Sequence, residues 1–156
     1  GYTTLGGQFQ FAAVAGAETD YALFAFQVPV AAAGGGNRNL VIRGVRIETF
    51  NMGAASATTP TLLQWALGIG STAVSLATAD SNTAGTRSPR RVPLGIQSMP
   101  VGTPIGGALT PIDVNLDAPL YVAAGTFVHV ILRMPVGTAT ASQIIRGLAM
   151  INGYFE

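Results

Sequence analysis

The chain contains no cysteine and no lysine, and only one histidine and one tryptophan among its 156 residues. Without cysteine, there can be no disulfide, thiolate metal site or cysteine nucleophile. With a single histidine, His129, and scattered carboxylates, the three or four ligands of a zinc site are not assembled by the sequence. Ionisable side chains are sparse: 10% of residues are charged, against roughly 25% in an ordinary soluble domain. Nothing is ionised from Thr49 to Ala79, nor from Val92 to Ile112. The formal net charge is +1, far from the basic balance that neutralising several phosphates demands, so no nucleic-acid partner is expected.

What is present is small and apolar. Hydrophobic residues make up 49% of the chain, which also has 20 glycines. Such side chains give a neutral surface that suits close approach of another protein. A lone monomer of this kind lacks the like-charge repulsion that keeps molecules apart in solution. The composition predicts a subunit whose surface is largely covered by neighbours; the alternative is a stable monomer with a bland surface. The length fits one domain and buries roughly 70% of the unfolded surface, so no covalent staple is needed. The most hydrophobic window, Leu62–Ala79, is interrupted by Gln64, Ser71, Thr72, Ser75 and Thr78 and broken by Gly68 and Gly70. It reads as two strands with a turn near Gly70-Ser71, and no membrane partner is expected.

No long stretch repeats apolar residues at helical spacing against a charged opposite face. Short segments rich in Val, Ile, Phe, Tyr and Thr recur instead, separated by Gly, Pro, Ala, Ser and Asn clusters. Strands are predicted over Gln8–Ala15, Tyr21–Pro29, Leu40–Asn51, Leu62–Ile69, Ala73–Ala77, Val92–Ser98, Ile112–Leu116, Leu120–Val122, Thr126–Met134 and Gln143–Phe155. Gln8 and Gln10 alternate with Phe9 and Phe11, so one side of that strand is wet and the other packed. Val128–Leu132 is apolar on both faces apart from His129, as in a central or doubly covered strand. The echo Ile42-Arg43-Gly44-Val45 and Ile145-Arg146-Gly147-Leu148 places two segments that are expected to share a sheet. Many short strands with Gly/Pro turns predict an all-β antiparallel β-sandwich of jelly-roll or Greek-key type. It is expected to be a single domain over residues 1–156, with residues 1–7 as an extended N-terminal arm.

Catalytic chemistry finds little to work with. His129 sits inside an apolar strand with no serine and carboxylate pattern to complete a triad, and no Gly-x-Ser-x-Gly elbow is present. Asp113, Asn115 and Asp117 imitate the first half of a calcium loop, but Ala118-Pro119 replaces the glycine turn and Ala124 the closing glutamate. They read as the solvated face of a strand. Gly34-Gly35-Gly36 lacks the Lys-Ser/Thr of a phosphate loop. No enzyme activity, cofactor, metal or small-molecule substrate is expected.

The charge that exists is concentrated. Arg87, Arg90 and Arg91 are three of eight basic residues, all within Thr86–Gly95, where Pro89 and Pro93 stiffen the backbone. Pro93 bars a central position in a sheet. The arginines fit solvated loop charges, a nucleic-acid contact, or docking on carbonyls or acidic groups of a neighbouring subunit. Arginine forms bidentate contacts and suits interfaces better than lysine, so the lysine-free composition raises the third role.

The segments Pro89-Arg90-Arg91-Val92-Pro93-Leu94-Gly95-Ile96-Gln97, Gly137–Gly147 and Asn152-Gly153-Tyr154-Phe155-Glu156 resemble small structural proteins of tailed bacteriophages. The likeness runs from about Leu40 to the end. It implies a jelly-roll subunit of the virion, such as a capsid decoration or head-fibre accessory, that forms a homotrimer, contacts other capsid proteins and stabilises the particle. Arg87, Arg90 and Arg91 are the expected interface residues. The alternative is a lectin-like module, with Trp65, Tyr21, Tyr121 and Tyr154 as stacking surfaces for a glycan and Asp113, Asn115 and Asp117 holding calcium.

Overall fold

The computed structural model describes residues 2–12, 20–53, 60–70, 91–134 and 144–156. Eight strands run through them: β1 (Tyr2–Ala12), β2 (Asp20–Gln27), β3 (Leu40–Asn51), β4 (Thr61–Gly70), β5 (Arg91–Met99), β6 (Ile112–Val122), β7 (Phe127–Arg133) and β8 (Ile144–Phe155). They form two four-stranded sheets, ordered β1-β8-β3-β6 and β2-β7-β4-β5. Every pairing is antiparallel. Of the connections between these strands, only β4 to β5 stays within one sheet; the rest cross to the other. This is the jelly roll, two antiparallel sheets face to face. No helix among the described residues is long and apolar enough to cross a membrane.

Strand β3 coincides with its predicted span, and β2, β4, β5, β7 and β8 lie within two residues of theirs. Strand β1 starts earlier than the alternation of Gln8–Phe11 suggests. From Tyr2 onward the segment expected as an arm is registered along β8, with Tyr2 opposite Tyr154 and Gly7 opposite Ala149. Its backbone groups find ladder partners there. The segments Ile112–Leu116 and Leu120–Val122 are one strand, β6. Between Ile42 and Gly44 of β3 the register jumps from Leu120 to Asn115, so Pro119 sits in an irregular stretch of an edge strand. A proline costs no ladder bond in such a place. The predicted strand Ala73–Ala77 lies outside the described residues.

Alternation sorts side chains between core and surface. Leu40, Ile42, Val45 and Ile47 of β3 meet Leu63, Trp65 and Leu67 of β4 and Val128, Val130 and Leu132 of β7 in one buried cluster. Phe9 reaches across from the first sheet to Trp65, ring centroids 5.5 Å apart and tilted by 55°, a favourable aromatic geometry. Strand β7 is central in its sheet, as its apolar sequence requires.

Polar side chains are also buried in this interior. Gln97 of β5 is buried. Its Oε1 accepts hydrogen bonds from Thr49 Oγ1 on β3 and from Trp65 Nε1 on β4, both 2.9 Å. Its Nε2 donates to Thr110 O at 2.7 Å. The one amide therefore ties both sheets to the β5–β6 connection. Asn51, fully buried, anchors the same connection nearer its start: its Nδ2 donates to Thr103 O at 2.9 Å. Backbone bonds from Asn51 N to Gly107 O and from Leu109 N to Thr49 O finish the attachment.

The Arg-Gly echo lies on the neighbouring strands β3 and β8, though the two segments are not opposite each other: Ile42 faces Gly153 and Ile145 faces Asn51. Glycine in β8 is a matter of space. A Cβ on Gly153 would collide with the Val41 carbonyl, and one on Gly147 with the Glu48 carbonyl and the Phe9 ring.

Gly153→Ala is therefore expected to lower the unfolding free energy by about 1–3 kcal/mol, the cost of forcing atoms into a filled site. Gly36→Ala, where nothing lies within 4 Å of the new methyl, is expected to be neutral or stabilising by under ~1 kcal/mol. Chemical denaturation of both variants tests the contrast. By the same assay Gln97→Leu is expected to cost more than about 2 kcal/mol, since each orphaned buried polar group costs ~1–3 kcal/mol.

Candidate functional site

Two regions of the sandwich carry residues that the sequence singles out, and a third surface carries residues that it did not. The first is the start of β5. Arg87 and Arg90 lie outside the described residues. Arg91 is the first residue of β5, half-buried, opposite Gly68 of β4. Gly68 is in turn opposite His129 of β7. His129 is fully buried, its ring centroid 6.1 Å from that of Phe127.

The second is the exposed side of β6. Asp113, Asn115 and Asp117 are all exposed, alternating with half-buried Val114 and Leu116. Asp113 is engaged: Arg46 NH1 donates to its Oδ2 at 2.8 Å. The same guanidinium holds Glu48 Oε1 through Nε at 2.9 Å and NH2 at 2.5 Å. The Glu48 hydrogen bonds, then the Asp113 bond, raise the Arg46 pKa above its ordinary value. Among the described residues no three His, Asp or Glu side chains are grouped to hold a metal ion.

The glycan-stacking residues are dispersed. Trp65 is 2% exposed and belongs to the core, so it offers no surface to a ligand. Tyr121 is exposed on β6 and Tyr154 half-buried on β8. The Tyr21 side chain is outside the description.

The third surface was missed by strand alternation. Continuing the phase of Val92 and Leu94 would bury Ile96. Instead the register of β5 against β4 shifts between Trp65 and Ala66, leaving Leu94 without an opposite residue. Gly95, with φ of +148°, supports this bulge. Beyond it the faces exchange: Gln97 and Met99 turn inward, and Ile96 turns out, 63% exposed. Val101 and Ile105, in the connection that follows, are 52% and 64% exposed. That connection is held by the Asn51 bonds and by Thr103 Oγ1 donating to Pro100 O at 2.7 Å. Ile96 on β5 and Val101 and Ile105 in the connection after it thus stand exposed within the charge-free run Val92–Ile112. The run was visible in the sequence; its exposure was not. Pro93 and the bulge interrupt the outer ladder of β5, so this edge is poorly suited to the addition of another strand.

No protein-family model matches the chain, and no curated protein sequence matches it significantly. Among solved structures, the VP2 subviral particle of infectious bursal disease virus aligns with 99% of this chain at 13% identity and a TM-score of 0.22. The chain spans 41% of the length of that protein.

Because Asp113 is already committed to Arg46, adding calcium to ~1 mM, where weak extracellular sites fill, is expected to leave the melting temperature unchanged. A calcium-dependent rise, lost in Asp117→Asn, would restore the β6 face as a cation site.

Proposed function

We propose that this chain is a non-catalytic structural subunit of a virus particle. It resides in the virion, associates with copies of itself as a homotrimer and with other capsid proteins, and stabilises the particle as a decoration or accessory subunit. The observation that carries this reading is the exposure of Ile96, Val101 and Ile105 along the uncharged β5 strand and its following connection, on a jelly roll. Jelly rolls serve viral capsids, lectins and cupins alike, so the fold narrows the class and the surface must choose within it. Large exposed apolar groups on a fixed frame favour a permanent partner, because burying each one contributes about 1.5–3 kcal/mol. A net charge of +1 offers little repulsion between copies.

The arginines supply direction where the apolar edge supplies affinity. Arg91 is on the same strand as Ile96. With Arg87 and Arg90 just before it in sequence, it would reach carbonyls or carboxylates of a neighbour, where planar bidentate contacts fix orientation. The resemblance to tailed-phage accessory proteins is the ground for proposing a particle of that kind.

Light scattering behind a sizing column is expected to give a trimer or larger closed oligomer. Ile96→Asp/Ile105→Asp is expected to yield folded monomers that keep the β-sheet circular-dichroism spectrum, since both side chains are exposed on the chain itself, with a melting temperature lowered only by the lost association. A wild-type chain that stays monomeric at high concentration would remove self-association from the proposal. Arg90→Glu/Arg91→Glu is expected to impair assembly without unfolding the domain; normal assembly of that variant would remove the arginines from it.

A further inference from the structure

On the outer face of the first sheet, away from the β5 edge, is a depression of about 520 Å3 lined by Gln8, Gln10, Glu48, Phe50, Arg146 and Leu148, with Phe9 and Gly147 beneath. The register makes it a built arrangement. Gln8, Leu148 and Glu48 form one row across β1, β8 and β3; Gln10, Arg146 and Phe50 form the next. Neighbouring strands are ~4.8 Å apart and successive side chains on one face ~6.8 Å apart, so the two rows offer a footprint one or two sugar rings across.

We infer that this face binds a neutral oligosaccharide. Its chemistry is mixed in the way a sugar is mixed. Phe50 and Leu148 give half-buried apolar contact suited to the C–H face of a pyranose. Around them stand planar polar groups that together donate and accept: two side-chain amides, a guanidinium and a carboxylate. Three of these are already oriented. Arg146 Nε donates to Gln10 Oε1 at 2.6 Å, which leaves the Gln10 amide nitrogen and the outer Arg146 nitrogens as donors. Arg46 occupies Glu48 Oε1, which leaves Oε2 as an acceptor. Groups fixed before binding lose less entropy on binding.

Charge decides against other ligands. One guanidinium and one carboxylate face the depression, so its net charge is zero. An anion would meet Glu48, a cation would meet Arg146, and an apolar ligand would strip water from four polar groups without replacing their hydrogen bonds. A neutral polyhydroxylated ligand meets none of these costs. Its residues are not those that the sequence offered for a glycan, and the inference stands apart from the assembly proposal.

The test is saturation-transfer NMR and titration of the purified chain with four neutral disaccharides: lactose, maltose, chitobiose and mannobiose. At least one is expected to bind with Kd on the order of 1 mM, which corresponds to a few well-placed contacts. Gln10→Ala and Arg146→Ala change exposed residues, and each is expected to weaken binding by about 10-fold or more, the loss of roughly one good contact. Tyr121→Ala, exposed on the same sheet but at β6, should leave it unchanged. Absence of binding to all four sugars overturns the inference, as does binding indifferent to Gln10→Ala and Arg146→Ala. Tighter binding of a sulfated or sialylated sugar would overturn its neutral character. Sugar binding by a chain that remains monomeric would sustain this inference while removing the self-association proposal.

Discussion

The interior of this protein is organised around one buried amide. A sandwich of two apolar sheets can slide, because hydrophobic contact has no direction. Gln97 supplies direction: it is hydrogen-bonded to β3, to β4 and to the approach to β6 at once. In a low-dielectric interior such a group is costly unless satisfied, so one alignment of the sheets is preferred over its neighbours. The same alignment sets Phe9 against Trp65 and brings the β5–β6 connection onto Asn51.

Gln97 can occupy that position only because β5 is bulged. The unmatched Leu94 and the glycine beside it shift the strand by one residue, and a one-residue shift exchanges the faces of everything that follows. The exchange places a polar side chain in the core and an isoleucine on the surface. The internal fastening and the exposed apolar edge are thus two results of one backbone irregularity. An edge strand tolerates it, since its outer ladder has no neighbour to disturb.

The two sheets present different chemistry to solvent. On the first, Arg46 is hydrogen-bonded to Glu48 and Asp113, and Arg146 to Gln10, a polar and locally neutral face. On the second, the edge strand and its following connection carry no charge from Val92 to Ile112. A subunit that binds neighbours through one edge keeps its other face open, so the assembly and sugar-binding proposals make separate use of separate surfaces.

The sequence by itself determined the class of fold. Period-two alternation and glycine–proline punctuation are local properties, and they place most strands to within two residues. The apolar run of β7 announced a central strand, and Pro93 an edge one. Low charge and the absence of lysine marked an unusual surface. Only the tertiary structure decided the strand order of each sheet, that Pro119 lies inside a strand, and that the first residues pair with β8 rather than standing apart. It also took Trp65 out of contention as a stacking surface and brought Gln10, Arg146 and Phe50 into one row from three distant parts of the chain. The division has a physical cause. Alternation is written residue by residue, whereas register and bulges follow from which buried polar groups find partners across the interior, and those partners are far apart in sequence.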